Sequence, residues 1–520
     1  MGTEKVLAAI LSILTAILAF VSSDYAGVVD HVKSTIGVYD HEVVISMDNA
    51  STTNDGKFEG WGTSLCWWAN RVGYSDKLAQ DAAEMFFSED GLNLNIMRYN
   101  IGGGDDPTHK HITRTDSEVP GWLYLNEETG EYEYDYTADK NQLNVLERAY
   151  KAAGDDAYVE VFSNSPPYFM TNSGCASGAT DPNHNNLRDD CYTDFANYLA
   201  HVSAYINNQL GIKVSSISAM NEPNTDYWGA FSPKQEGCHY DIGESQSKII
   251  VETAKAFESV GLGSVEVVAT DDTAPVRFDE SYNALSDEAK SVIDRYSTHT
   301  YYTVGIDELG ALAKEKNMNL WMSEVDGNGV SGTDAGEMGP ALWLAGKILE
   351  DLDRLSPSAW VMWQVIDSHK SKDGYNGNQD WWITDTTNGF WGTCTADHDA
   401  QEIIKTQKYY AFGQFSKFIR PGSRIIHIKN GTEIAAYNEE TKQLVIVGIN
   451  YWEGDSVTGY KLDDFKLDKH DVSVYRTSGS MADGEHWENV KNTTFIGDTF
   501  CGVLKANSVT TFVIENVELK

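Results

Sequence analysis

The sequence predicts an α/β protein, a (β/α)8 TIM barrel with an associated β-sandwich side domain. Three observations lead there. Across 56–420, eight short apolar or aromatic runs alternate with longer amphipathic stretches, the pattern of parallel strands joined by crossover helices. Beyond 425 the runs stay short, turn residues separate them, and helical spacing disappears, as in a sandwich. Finally, 520 residues that are 41% apolar and 22% charged exceed one ordinary domain and are too apolar to remain unfolded.

Taken in order, the chain begins with Lys5 and an apolar run over 6–21 that ends in Val21-Ser22-Ser23. A bilayer span needs about 20 apolar residues, so the run fits a secretory leader better than an anchor. Residues 1–23 are therefore read as a signal peptide and the protein as secreted and extracellular. The segment 24–55 carries a lone strand near 43–47 that can join the side sandwich. Barrel strands are expected at 60–67, 93–99, 157–163, 214–220, 265–269, 293–299, 318–323 and 359–364. Amphipathic helices are expected at 77–87, 141–153 and 340–355. In the last, Leu344, Ile348, Leu352 and Leu355 form one stripe, and Pro340 suits a first helical turn. The remainder, 421–520, is the C-terminal β-sandwich, with strands near 433–437, 444–448, 472–475 and 509–514.

Charge narrows the partners. The chain holds 78 acidic and 39 basic residues, a formal net charge of −39, and such a surface repels nucleic acid and anionic membranes. Neither is an expected partner, and a monomer is expected. The six cysteines show no metal-type spacing. Cys175 and Cys191, flanking a loop rich in Asn, Asp and Gly, are the best-placed disulfide pair, with free buried thiols the alternative. Sequons stand at Asn49, Asn430 and Asn492.

In a barrel of this kind, functional side chains gather at the C-terminal ends of the strands. Ala219-Met220-Asn221-Glu222-Pro223-Asn224 follows the fourth predicted strand, and Trp321-Met322-Ser323-Glu324-Val325-Asp326-Gly327 closes the seventh. Each sets a glutamate where an apolar strand gives way to a loop. Two facing carboxyl groups are the minimal equipment for cleaving a glycosidic bond: one protonates the leaving oxygen while the other attacks or activates water. Asn221, beside the first, can bind a sugar hydroxyl. Rival signals fall away. Gly327-Asn328-Gly329-Val330-Ser331-Gly332 fits a dinucleotide fingerprint, but no helix begins at its glycines. His109-Lys110-His111 lacks a further ligand at usable spacing and reads as a solvated loop. There is no HExxH and no GxSxG. No metal and no cofactor is expected.

Several further motifs carry a family likeness. Trp61-Gly62-Thr63-Ser64-Leu65-Cys66-Trp67-Trp68, Arg98-Tyr99-Asn100-Ile101-Gly102-Gly103-Gly104 and Asn164-Ser165-Pro166-Pro167-Tyr168-Phe169-Met170 resemble glycoside hydrolase family 30, in its endo-β-1,6-galactanase branch. The text from Tyr409 to Gly422 is similar to that family's join between barrel and side sandwich, with Arg420 structural. The resemblance implies a retaining mechanism with Glu222 as general acid/base and Glu324 as nucleophile. It also implies a polysaccharide or oligosaccharide substrate, β-1,6-linked galactan such as arabinogalactan side chains. Related branches act on β-1,6-glucan, xylan or glucosylceramide, and a non-catalytic carbohydrate-binding protein on the same scaffold is the different-class alternative.

Other residues receive roles from their positions. Arg98, near the end of strand two, can pair with Glu324 and keep it ionised. Tyr301, after strand six, can donate to the nucleophile, and His299 beside it joins the site or serves as a structural residue. Asn164, after strand three, contacts substrate hydroxyls or caps its loop. Among the many loop aromatics, Trp68, Trp228 and Trp363 are the candidates to stack on the apolar faces of pyranose rings.

Overall fold

Eight parallel strands close into a barrel, each hydrogen-bonded to the next in chain order and the last to the first. The computed structural model describes residues 39–126, 128–383, 389–466, 472–490, 493–496 and 499–520. The leader 1–23, the segment 24–38 and the sequon at Asn492 lie outside the described residues. The barrel strands are Gly60–Ser64, Ile96–Asn100, Tyr158–Phe162, Val214–Ser218, Glu266–Asp272, Arg295–His299, Asn319–Glu324 and Ala359–Met362. Every one overlaps an apolar run identified in the sequence. Their near-complete burial explains why those runs show no regular apolar–polar period, and the charged residues within them, Arg98, Glu160 and Arg295, are buried too.

Part of the barrel interior is apolar, where Ile96, Trp321, Ala359 and Val361 pack together. Another layer is ionic. The Arg295 guanidinium lies 3.5 Å above the Trp321 ring and pairs with Glu160, and both side chains are fully buried. The helix Asp76–Phe87 starts where Ser75 Oγ accepts the Leu78 N–H, and it buries Leu78, Ala79, Ala82, Ala83, Phe86 and Phe87. The helix Lys140–Ala153 buries Leu143, Leu146 and Ala149, the stripe read from the sequence. Two long loops hold structure that periodicity missed. After the second barrel strand, Leu123–Leu125 pairs with Tyr132–Tyr134. After the eighth, Ile366–Lys370 pairs in parallel with Cys394–Asp397. Strands of this length, with mixed polarity, leave no apolar run to read.

The described residues divide into two compact units, one of 60–332 and 357–404 and one of 39–59, 333–356 and 405–520. In the second, a six-stranded sheet includes Glu433–Asn438, Gln443–Asn450, Val472–Ser478 and Ser508–Ile514. The strand His41–Val44 pairs in parallel with Ser456–Lys461, in a second sheet of four strands. Between the sheets Ile45, Tyr460, Phe500, Ile446, Phe512 and Ile514 form one core. Each such side chain adds about 1.5–3 kcal/mol by leaving water. The same unit holds the helix Met338–Arg354, with Leu344, Ile348 and Leu352 buried, and the helix Gln407–Ser416.

All six cysteines are free and buried. Of the two readings of Cys175 and Cys191, the structure shows free buried thiols rather than a disulfide: the Cys175 thiol turns to Ser177 and His111, and that of Cys191 to Asp190. Among the described residues no helix is long and apolar enough to cross a membrane.

Candidate active site

Arg98 organises the C-terminal mouth of the barrel. It leaves the second strand with no exposed surface, and its guanidinium reaches across the ring of strands. Nε donates to Glu160 at 3.0 Å, Nη1 to Glu324 at 2.9 Å and to Ser64 at 3.2 Å, and Nη2 to Asp271 at 2.6 Å. Nη2 also donates to Asn221 Oδ1 at 3.4 Å, and the group lies 3.9 Å over the Phe162 ring. A planar fork with five donors suits this task, which a lysine ammonium could not perform. Arg98 holds Asp271 well below the usual carboxylate range, although burial opposes it. Asp271 in turn accepts from Ser323 Oγ at 2.6 Å.

Glu222 and Glu324 stand above this layer, 7% and 3% exposed. Glu222 has a left-handed backbone (φ 48°), and its N–H donates to the Asp271 carbonyl at 2.9 Å. For a non-glycine residue that conformation costs about 1–3 kcal/mol and is characteristic of functional positions. The Tyr227 phenol donates to Glu222 Oε2 at 2.6 Å, and the Tyr301 phenol to Glu324 Oε1 at 3.0 Å. His299 lies between and beneath them. Its Nδ1 is 3.3 Å from Glu222 and 3.6 Å from Glu324, and its Nε2 is 3.5 Å from Asp271. Burial alone would push this imidazole down. The carboxylates of Glu324, Asp271 and Glu222 outweigh it and lift the ring to about 10, so it is an imidazolium at neutral pH. Burial pushes the Glu324 carboxyl up, the His299 and Arg98 cations pull it back, and the Glu222 and Asp271 charges add to the rise. It settles above the usual carboxylate range.

One ligand-type atom from each of Glu222, His299 and Glu324 lies within 4.8 Å of the others. The charged ring would have to lose its proton before it could ligate a metal, and Arg98 stands beside it, so the cluster suits proton and charge handling better than cation binding.

A cavity of about 430 Å³ opens over the two glutamates. Asn221, Tyr301, Trp228 and Trp363 line it, as do Arg114 and Lys234. Trp363 meets Trp67 edge-on, with centroids 4.8 Å apart. Trp228 is fixed by its Nε1–H, which donates to the Glu222 carbonyl at 3.2 Å. It also needs glycine at 237, where a Cβ would overlap the indole.

Other expected residues lie elsewhere. Trp68 does not reach the cavity: it is fully buried, donates to the Ser64 carbonyl at 2.8 Å and packs edge-on against Phe86. Its neighbour Trp67 lines the cavity instead. Asn164 is also buried, with Nδ2 directed 3.4 Å onto Cys66 Sγ. Arg98 and His299 act from beneath and line no part of the cavity. Sequence reasoning placed Tyr227 only among the loop aromatics, with no role at Glu222, and missed Asp271 and Glu160. Asp271 is the penultimate residue of the fifth strand, so the strand-end rule that selected Glu324 would have found it. Glu160 lies within a strand and carries no such signal.

Comparison with known proteins adds relatives. A family model described as O-Glycosyl hydrolase family 30 matches residues 42–376. An endo-beta-1,6-galactanase of Hypocrea rufa is 27% identical over 491 residues, covering 90% of this chain and 94% of the relative. An exo-beta-1,6-galactobiohydrolase of Bifidobacterium longum subsp. longum is 27% identical over 474 residues, covering 73% of this chain and 30% of the relative. Among solved structures, the catalytic domain of a GH30 xylanase C from Talaromyces cellulolyticus superimposes with a TM-score of 0.67 at 17% identity. The match covers 92% of this chain and all of that one (100%).

Proposed function

The chain belongs to O-glycosyl hydrolase family 30, and on that premise we propose that it is a secreted, retaining endo-hydrolase of β-1,6-linked galactan. That it is a glycoside hydrolase acting on O-glycosyl bonds follows from the family and from its galactanase relatives. The retaining mechanism rests on one observation above all: carboxylate oxygens of Glu222 and Glu324 lie within 4.8 Å of each other. Retaining enzymes hold the two groups about 5–5.5 Å apart, whereas inverting enzymes leave about 6.5–9.5 Å for a water.

In the first step a Glu324 oxygen attacks the anomeric carbon as Glu222 gives its proton to the departing glycosidic oxygen. The C–O bond breaks and a covalent glycosyl ester forms with inverted configuration. Glu222, now a carboxylate, takes a proton from water, whose oxygen attacks the same carbon and releases Glu324. The second inversion restores the starting configuration. Arg98 and Tyr301 hold the nucleophile in place, and Tyr227 and His299 orient the acid/base. Indoles at Trp67, Trp228 and Trp363 offer flat faces to sugar rings.

The galactan assignment is supported by the relative matched nearly end to end, an endo-beta-1,6-galactanase. Export is supported by the leader-like run before Asp24. A hydrolysis panel of β-1,6-galactan, β-1,6-glucan and xylan tests the reading. Galactan should be cut internally, with a ladder of oligosaccharides appearing early. Release of a disaccharide alone from chain ends, or preference for glucan or xylan, would overturn it.

A further inference from the structure

Two loops beside the catalytic cavity bring together a carboxylate, an imidazole and a thiol that take no part in the hydrolysis. Asp105 and His111 belong to the loop after the second barrel strand, and Cys175 to the loop after the third. His111 Nδ1 lies 2.8 Å from Asp105 Oδ2, and His111 Nε2 lies 3.4 Å from Cys175 Sγ. One ligand-type atom from each of the three residues lies within 4.8 Å of the others. The His111 side chain is only 10% exposed, yet its buried Nδ1 makes no hydrogen bond. The short approach to Asp105 therefore lacks the alignment that an N–H···O hydrogen bond would need. Ser177 Oγ adds a fourth oxygen, 3.0 Å from the thiol and 3.2 Å from Nε2. One side of the cluster opens onto a cavity of about 510 Å³, where Asp106 and Glu118 outnumber Lys110.

The geometry points to a binding site for a borderline-soft divalent cation of the zinc type, ligated by Cys175 Sγ and His111 Nε2, with Asp105 beside the ring's other nitrogen to orient it. Its remaining positions fall to Ser177 Oγ and water. Zn–S and Zn–N bonds of about 2.3 Å and 2.0–2.1 Å, at a tetrahedral angle, set sulfur and nitrogen roughly 3.6 Å apart, close to the separation found. Thiolate with imidazole selects this class of ion over magnesium or calcium, which prefer all-oxygen shells. Binding displaces the thiol proton to solvent and requires a neutral imidazole, so occupancy rises with pH. The acidic cavity offers the ion a path inward.

The site is placed to stiffen the substrate cleft. The Phe231 N–H donates to Cys175 Sγ at 3.2 Å, the Ser232 N–H to Ser177 Oγ at 3.0 Å, and Ser177 Oγ to the Gly229 carbonyl at 3.2 Å. These bonds anchor the loop that carries Trp228 and Lys234 over the catalytic cavity. Spacing along the chain carries no sign of this pairing, because His111 and Cys175 lie 64 positions apart. The loop His109-Lys110-His111 is solvated at its first two residues, as expected, whereas His111 turns inward against Asp105 and Cys175.

The test is titration of the full chain, stripped with a chelator, first with Co2+ and then with Zn2+ in competition. One equivalent of Co2+ should bind with a thiolate-to-cobalt charge-transfer band in the near ultraviolet, and Zn2+ should abolish that band. The band should be absent in Cys175→Ser, and affinity should fall by about tenfold or more in His111→Ala and Asp105→Asn. Zn2+ should raise the melting temperature of the wild type and leave that of Cys175→Ser unchanged. Glu222→Gln should bind Co2+ as the wild type does. Absence of the thiolate band, or unchanged binding in Cys175→Ser, would overturn the proposal. So would binding lost in Glu222→Gln, which would place the ion on the catalytic carboxylates. Because Cys175 is fully buried and its replacement can unfold the chain, the two loop variants, checked by circular dichroism, test the site independently.

Discussion

Replacing His299 with Gln removes a buried cation from among three carboxylates while keeping the volume nearly constant. The interaction lifts the ring from 6.5 to about 10. At about 1.4 kcal/mol per pH unit, this amounts to roughly 5 kcal/mol between the imidazolium and its surroundings. Full burial leaves little solvent to screen it. The unfolded histidine gives up its proton near pH 6.5, whereas the folded one keeps it until about 10. The stability this group contributes is therefore complete below pH 6.5 and is lost as pH rises to 10. Glu236, raised by burial to about 8, and Asp272 and Asp139, raised by burial to about 7, also weaken the fold as pH climbs. Glu236 and Asp139 do so equally in wild type and variant and cancel in the difference, whereas Asp272, which the His299 charge pulls down, rises in the variant and offsets part of the change. Urea unfolding of both proteins at intervals from pH 6 to 10 measures it. His299→Gln should be several kcal/mol less stable at pH 6, and the deficit should shrink steadily toward pH 10. A deficit that stays constant across that range would refute a charged His299.

Glu222→Gln and Glu324→Gln should each lower kcat by about a thousandfold or more while unfolding at or above the wild-type temperature. Azide should rescue Glu222→Ala on an activated aryl β-galactoside with a β-glycosyl azide product, and Glu324→Ala with the α-product; full activity in either Gln variant would sink the assignment. Because Glu324 lies above the usual carboxylate range, the acid limb of kcat/KM should lie above the ordinary glutamate value of about 4.3. Tyr301→Phe, which removes a donor to that carboxylate, should move the limb higher and cost about tenfold in kcat/KM; an unmoved limb would show that the phenol does not hold the nucleophile. The neighbouring tryptophans should separate by phenotype: Trp68→Ala should lose about 3–5 kcal/mol of stability with KM unchanged, and Trp67→Ala should raise KM. A raised KM in Trp68→Ala would contradict its place in the core.

The barrel was legible because its strands are buried on both faces and several read as short apolar or aromatic runs, as in Ala359–Met362, even though others, such as Val214–Ser218, carry small polar residues. The two glutamates were legible because they end such runs. What lay hidden depends on which way a side chain turns, or on distance through the fold. Trp67 and Trp68 are adjacent and chemically identical, yet one faces the cavity and the other the helix that carries Phe86. Asp271 was overlooked because its strand end holds Asp rather than Glu, although Arg98 draws it into the site all the same. His299 was undervalued because a single histidine gives no hint of the three carboxylates that converge on it from three other strand ends. Cys175 and His111 meet only once two loops have folded beside each other.

The most direct test of the two-glutamate retaining reaction is the anomer released first. Proton NMR of a β-1,6-galacto-oligosaccharide, recorded within the first minutes of hydrolysis and before mutarotation, resolves the anomeric signals of the new reducing end. Carboxylate oxygens within 4.8 Å of each other predict that the β-anomer appears first and the α-anomer grows in only as the sugar equilibrates. Initial release of the α-anomer would contradict the account, because a single displacement by water would then replace the attack by Glu324.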